Sequence, residues 1–445
     1  MAPIVILGAG LTGLSTAYHL ENRGFFDYLL FEKDETIGGL CRSINQDGFT
    51  FDYTGHLIHA SDAYFREFIG ETIGFSALTA VTRRSFIYSH GAYTNYPYQI
   101  NLHGLPDSVI EECIEGFIKR KLSKKALTFD QWVLSSFGAG LAKHFFFPFQ
   151  RKIFAYPIEK VTSSWMGRFV PQTSLMQMIH GATNTAPETI GYNAHFYYPS
   201  HGGINAWITS IAARLARPIH TGFQANTIDL VNKVIRFSNG FEQKYETLIN
   251  TMPLDTLLTN LEDSSTTRLQ AAASKLTCNS VVNFNLGINR PQLSDKHWIY
   301  FPEKSYPFYR VGFPHNFTPY AVPAGCSSLY GELSHIKGSS ISIKQKLKSA
   351  LQKTKTLLAI NDQEIIVKKV IHIPHAYVIY TPWREKNLPL LHQRLKDVDI
   401  YSIGRYGEWK YSSMQEAILD GKKMAEQLTI LPAQRQHYTA SQSLS

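Results

Sequence analysis

Gly8, Gly10 and Gly13, with an acid at Glu32, have the types and spacing needed to hold a dinucleotide. Gly8 permits a tight turn, Gly10 lets the backbone approach a pyrophosphate, and Gly13 lets a helix pack closely on a strand. The helix start turns unpaired N–H groups and a positive dipole end toward the phosphates. Glu32, 19 residues beyond Gly13, can accept hydrogen bonds from a ribose. Six residues further on, Gly38-Gly39-Leu40-Cys41-Arg42-Ser43 supplies a second glycine turn with a nearby arginine. Two such turns point to FAD rather than NAD, because a flavin dinucleotide lays its phosphates and ribitol against the second one. The chemistry open to the chain is therefore flavin chemistry.

The elements that must hold these residues are legible around them. Pro3 to Leu7 is an apolar run fit for a buried parallel strand, Leu14 to Arg23 is compatible with a helix, and Tyr28 to Phe31 is a second strand ending at Glu32. From about Pro106 to Ile190 the pattern is helical and rich in aromatics, including Phe145, Phe146, Phe147, Phe149 and Phe154. Short β-like runs at Val281–Leu286, His297–Phe301, Phe308–Phe313 and Ser327–Leu333 alternate with Pro and Gly turns, the mark of an antiparallel sheet. Lys233 to Asn250 reads as a hairpin turning at Asn239-Gly240, followed by a strand that returns to the nucleotide-binding sheet. Asp399 to Leu428 reads as a strand over Ile400–Ile403, a glycine turn at Gly404 and Gly407, and a helix from about Ser413. The tail from about Pro432 is polar and expected to fray.

At 445 residues the chain has room for two or three structural regions, and 44% hydrophobic with 18% charged residues is ordinary for a globular enzyme. The formal net charge of +9 suits an anionic small-molecule ligand. Lys119 to Lys125 is the densest basic stretch and reads as a solvated helix face, so no nucleic-acid partner is expected. Cys41, Cys113, Cys278 and Cys326 lack CxxC spacing, which indicates neither a disulfide framework nor a metal site. The chain opens directly on a buried strand and has no apolar run near 18 residues. A cytoplasmic protein without stable membrane insertion is expected; the oligomeric state is left open.

Seven stretches, in register from residue 3 to about 427, together resemble the UDP-galactopyranose mutase family, in its eukaryotic-type branch. Asp52 to Ile58 is similar to that family's histidine loop beside the flavin, and Tyr96-Pro97-Tyr98-Gln99 to its nucleotide-base segment. Phe137 to Pro157 and Trp165-Met166-Gly167-Arg168 resemble its helical region. Asn193 to Trp207, Trp298 to Arg310 and Gly404 to Tyr411 complete the set. The resemblance implies an α/β fold: a glutathione-reductase-like FAD-binding Rossmann domain with a helical insertion and a six-stranded antiparallel sheet. The expected division is 1–95, 196–255 and 391–430 for the FAD-binding domain, 96–195 for a helical substrate domain, 256–390 for the sheet domain and 431–445 for a flexible tail. The implied reaction interconverts UDP-galactopyranose and UDP-galactofuranose, or a related nucleotide hexose. Reduced flavin N5 attacks the anomeric carbon as UDP leaves and returns, and NADPH or NADH is the expected reductant.

The resemblance also assigns roles. Arg168 and Arg310 would hold the two phosphate charges, unless they are ion-paired or surface arginines. Tyr300, Tyr377 and Tyr411 match positions that hold phosphate oxygens, although each could be a core aromatic with a satisfied hydroxyl. Tyr96, Tyr98 and Gln99 would receive uracil, or form a proline-bounded loop of packed aromatics. Asn193, Gln150 and Phe154 are candidates for further nucleotide contact, with Gln150 standing where the family has asparagine and Phe154 where it has tryptophan. Gly55 and His56 belong to the flavin-side loop, where Thr54-Gly55-His56 replaces the usual Gly-Gly-His. Arg405 would support the flavin pyrophosphate or ring edge. The rival reading is an FAD-dependent oxidoreductase of the amine or protoporphyrinogen oxidase type, which shares both glycine turns but has no need of the arginine and tyrosine set.

Overall fold

The computed structural model describes residues 3–123, 128–166, 170–184, 194–262, 267–338 and 343–442. Five parallel strands form the nucleotide sheet, in the order Ile400–Ser402, Thr247–Asn250, Ile4–Leu7, Tyr28–Phe31 and Ile219–His220. They come from three widely separated stretches of chain. Their apolar side chains face two layers: Ile6 and Leu30 pack with the helix Leu11–Glu21, while Val5, Leu7 and Phe31 pack on the opposite side. Parallel strands buried on both faces need such runs without polar alternation.

The helix after the first strand begins at Leu11, three residues earlier than the expected Leu14. Gly13 lies inside its first turn because a side chain there would overlap the carbonyl oxygen of Gly8. The helix also packs on Met414–Gln442, where the Ser15 hydroxyl donates to the Ile418 carbonyl at 2.6 Å.

The second large sheet has seven strands rather than six. Their order is Ile365–Ile373, Asn279–Ile288, Ser327–Ile336, Arg310–Gly312, Trp298–Tyr300, Ser85–Ser89 and Ala92–Asn95. All neighbours are antiparallel except Trp298–Tyr300 with Ser85–Ser89. The additional edge is a hairpin from the early part of the chain, too far away in sequence for local turn signals to reveal its pairing. The strand Asn279–Ile288 is buried throughout yet still alternates. Val282, Phe284, Leu286 and Ile288 join the apolar core beneath Ile343–Leu358, and Asn279, Asn283 and Asn285 take the other face.

Helices Asp107–Ile118, Phe129–Leu141, Phe147–Phe154 and Leu175–Thr183 form the helical layer. The first two approach so closely that a side chain at Gly116 or Gly140 would strike the other helix's backbone. A π-helical turn, Ala142–Phe146, leads into Phe147–Phe154, which delivers Phe149 to the sheet face carrying Tyr300. Such turns commonly occur at functional sites.

Candidate functional site

The two glycine turns meet at the carboxyl ends of the parallel strands, where open α/β sheets bind ligands. Gly8 sits at φ +101° and its N–H donates to the Phe31 carbonyl at 2.8 Å. Gly10 bridges Gly38, whose N–H donates to the Ala9 carbonyl at 2.9 Å. A side chain at Gly10 would reach only the Cα of Gly39, at 3.9 Å. Bare backbone therefore faces bare backbone across the two turns. The Glu32 carboxylate is fixed by the Ala9 N–H at 2.9 Å and the Asp34 N–H at 3.1 Å. A third glycine, Gly404 at φ +78°, lies against Thr12. Backbone donors free of side chains, with an oriented acid at the strand end, fit the pyrophosphate and ribose of FAD.

Arg405 follows Gly404. Its guanidinium donates to the Ser412 carbonyl at 2.6 Å and the Ala376 carbonyl at 2.9 Å, while its Nε is buried without a partner. The rings of Tyr377, Tyr406 and Tyr411 lie 5.3–5.7 Å from it. His56 lies within the fields of Arg405 and Arg310. Burial, partly opposed by the Thr54 backbone and reinforced by the two cations, pushes its imidazole down to about 4, so the ring is neutral at neutral pH. An unpartnered buried donor on Arg405 and an uncharged ring at the strand ends suit a polar cofactor edge.

Arg310 projects from the sheet and is ion-paired with Glu332, the alternative the sequence left open for it, with one edge of its guanidinium engaged. Its Nε donates to Glu332 at 2.9 Å and its Nη2 at 2.7 Å, and Glu332 is completely buried. This fork holds the guanidinium charged and rigid. Tyr300 is its cross-strand neighbour, and Tyr330 and Tyr377 surround it. Tyr300 in turn meets Tyr96 at 5.5 Å and Phe149 at 5.3 Å, and Tyr377 stacks on Tyr411 at 6.4 Å. The structure thus gathers Tyr96, Tyr300, Arg310, Tyr377, Tyr411, Arg405 and His56 into one aromatic, cationic wall.

Other expected residues lie elsewhere. Tyr98 is fully buried, stacked on Phe145 at 4.9 Å in the helical core, and Phe154 packs edge-on against Trp165 in the same core. Gln99 donates to the Pro171 carbonyl at 2.6 Å, which ties its amide to the fold rather than to a base. These are the packed-loop alternatives, favoured because Tyr98 and Gln99 point inward from a turn that closes on the helical layer. Gln150 is buried on Phe147–Phe154, and Leu40 packs near Tyr53 and Tyr377. Arg168 and Asn193 lie outside the described residues.

Sequence reasoning missed Glu332, Tyr330 and Arg83, and named Asp52 only as the start of the histidine loop. A lone acid in the apolar run Ser327-Ser328-Leu329-Tyr330-Gly331-Glu332-Leu333 was the available signal for the first. Arg83 is almost fully buried, 4.9 Å from the Tyr96 ring. Asp52 anchors the start of the His56 loop: its carboxylate accepts from Ser43 at 2.6 Å, Tyr198 at 2.8 Å and the Ile204 N–H at 3.3 Å.

Burial pushes the Asp52 carboxyl up to about 6 against the pull of those three donors. The unfolded carboxyl releases its proton near 3.9. The folded state therefore binds the proton more tightly, and its advantage is lost as pH rises from about 4 through about 6. Relative to Asp52→Asn, the wild-type protein is expected to lose roughly 2–3 kcal/mol across that window. Denaturant unfolding of both proteins at pH 4 and pH 7 measures this, and a constant difference would refute it.

Among the described residues no helix is long and apolar enough to cross a membrane, and no group of three His, Cys, Asp or Glu could hold a metal ion. The family described as flavin containing amine oxidoreductase matches the chain over residues 11–429. Similarity to curated proteins is local. One stretch of 55 residues is 51% identical to an uncharacterized protein in the nifH2 3' region of Methanothermococcus thermolithotrophicus, covering 12% of this chain and 52% of that protein. Another of 61 residues is 36% identical to 4,4'-diapophytoene desaturase (4,4'-diaponeurosporene-forming) of Staphylococcus aureus, covering 14% of this chain and 12% of the desaturase. The matches thus span about half of the first relative and about an eighth of the second. Solved structures match throughout. A crystal structure of reduced UDP-galactopyranose mutase has a TM-score of 0.91 at 28% identity, covering 97% of this chain and 96% of that one. A putative protoporphyrinogen oxidase from Exiguobacterium sp. 255-15 has a TM-score of 0.76 at 17% identity, covering 96% and 99%, a likeness of fold alone.

Proposed function

This chain belongs to the flavin-containing amine oxidoreductase family, and from that premise we propose that it is a FAD-dependent sugar-nucleotide mutase interconverting UDP-galactopyranose and UDP-galactofuranose, or a related nucleotide hexose. The observation that carries the reading is Arg310, a half-buried guanidinium held on one edge by Glu332 and ringed by tyrosines. Arg310 and Arg405 outnumber Glu332 along this wall, which suits a diphosphate better than a cationic amine. The end-to-end likeness to reduced UDP-galactopyranose mutase supports the same choice.

Bound and reduced, FAD supplies the nucleophile for the anomeric carbon. The glycine turns at Gly8–Gly13 and Gly38–Gly39 hold its pyrophosphate, and Glu32 its ribose. Arg405 supports the cofactor through its free Nε. Arg310, with Arg168, binds the diphosphate as UDP departs and keeps it in place for return. Tyr300, Tyr377 and Tyr411 donate hydroxyls to phosphate oxygens without adding charge. Tyr96 offers a ring face to the nucleotide, and Gln150 and Asn193 remain candidates for nucleotide contact. His56, uncharged, adds no competing cation beside Arg310. The aromatic rings limit water at the reacting carbon. NADPH or NADH would reduce the cofactor, and four unpaired cysteines suit a reducing cytoplasm.

The purified protein should be yellow, accept electrons from NADPH or dithionite, and then convert UDP-galactofuranose to UDP-galactopyranose on anion-exchange chromatography. Absence of conversion by reduced protein, with oxygen consumed on adding an amine or a porphyrinogen, would favour the oxidoreductase reading.

A further inference from the structure

The helix Pro382–Lys396 starts where two packed layers meet. Thr381 caps it, accepting from the Arg384 N–H at 3.2 Å, and proline at its first position suits a helix start. Leu388, Leu391 and Leu395 root it in the core on one face of the nucleotide sheet. The Tyr380 ring, just ahead of it, packs against that core and against the core of the helical layer.

The start of this helix grips two separate segments. On one side Arg384, almost fully buried, donates to the Trp409 carbonyl through Nε at 2.9 Å and Nη2 at 2.6 Å. The Tyr380 hydroxyl accepts from the Tyr411 N–H at 2.8 Å. On the other side the Tyr380 carbonyl accepts from the Thr162 N–H at 2.7 Å. The Glu385 carboxylate accepts from the Ser164 hydroxyl at 2.7 Å and the Thr162 hydroxyl at 3.3 Å. Arg384 and Glu385 are paired with each other at 3.0 Å, and the guanidinium lies 3.7 Å from the centre of the Tyr380 ring. The two segments end on rings that face each other, Tyr411 and Trp165, 5.9 Å apart. Tyr411 in turn stacks on Tyr377 and lies 5.3 Å from Arg405. A partly buried ion pair adds little net stability over apolar groups of the same size, and fixing register is its best-attested use.

We propose that Tyr380, Arg384 and Glu385 form a positioning strut that holds Tyr411, on the nucleotide-domain side, at a fixed separation from Trp165 of the helical layer. Arg384 and Glu385 act through the Trp409 carbonyl and the Thr162–Ser164 segment. That the strut serves the grip on a nucleotide diphosphate rests on the mutase reading; its linkage of the two segments belongs to the polypeptide.

The test compares FAD-loaded wild-type protein with Arg384→Met, Arg384→Lys and Glu385→Ala. Arg384→Met removes both bonds to Trp409 and the partner of Glu385, so amides in 162–166 and in 405–411 should exchange about tenfold faster. Glu385→Ala leaves Arg384 on Trp409 and should loosen both segments about threefold; it carries the test if the methionine variant fails to fold. Faster exchange confined to one segment in these variants would overturn the strut. In the reduced protein, Arg384→Met should raise the KM for UDP-galactofuranose about tenfold with kcat changed by less than about threefold, because the loosened grip is common to ground and transition states. Arg384→Lys, which keeps the charge and a donor for Trp409, should recover most of that KM. A wild-type KM in Arg384→Met, with both segments loosened, would confine the linkage to the fold and overturn its positioning role. Isothermal titration of wild-type protein with UDP separates the two readings. Absence of UDP binding there, with both segments still loosening together in the variants, would count against the mutase reading and in favour of the linkage.

Discussion

Arg310→Ala is expected to weaken UDP binding roughly ten- to a hundredfold, as removal of a charge-assisted contact does, and to destabilise the protein by about 3–5 kcal/mol. The second effect arises because Glu332, fully buried, loses both hydrogen bonds that neutralise it. Removing one partner of a buried pair leaves the other uncompensated. Arg310→Met combined with Glu332→Leu separates the two effects. Replacing both charges with apolar groups of similar size should restore most of the stability, yet UDP should remain weakly bound. Isothermal titration of UDP and denaturant unfolding read the two effects independently. UDP affinity equal to wild type in the double variant would show that the arginine serves only the fold.

Gly10→Ala and Gly13→Ala are expected to lose FAD for different reasons. Gly10 has φ −76° and ψ −178°, open to any residue, and its neighbour across the turn is an ordinary contact away. Alanine there should leave melting of the cofactor-free protein unchanged within about 1 kcal/mol, while its methyl group occupies the approach of a pyrophosphate. Gly13→Ala instead drives a methyl group into the Gly8 carbonyl oxygen. Backbone must move against backbone, so stability should fall by about 3 kcal/mol and FAD affinity roughly a hundredfold. Flavin absorbance after purification with added FAD, together with apo-protein melting, distinguishes the pair. A yellow Gly10→Ala protein with wild-type affinity would show that phosphates do not pass this turn.

The nucleotide fold was legible because each of its signals is local. The glycine spacing, the apolar runs and the Asn239-Gly240 turn act within a few residues of themselves. The strands Asn279–Ile288, Arg310–Gly312 and Ser327–Ile336 follow from runs that the sequence displays. What sequence could not supply was register between distant strands. Arg310 and Glu332 are 22 residues apart, and only the alignment of their strands makes them partners. The Ser85–Asn95 hairpin joins the large sheet by pairing with Trp298–Tyr300, a contact with no local trace. Tyr98 and Gln99 illustrate the opposite failure. Their types suit base recognition, but only the packing of Phe145 and the reach to Pro171 reveal that both face inward.

The nucleotide sheet takes its outer strand from Ile400–Ser402, and Gly404 closes against Thr12 of the first helix. During synthesis the first turn emerges early and waits for nearly the whole polypeptide before its final neighbours leave the ribosome. Until that late segment is made, the first helix lacks the cover that Ile418 and Ala425 give its apolar flank, a surface open to non-native association.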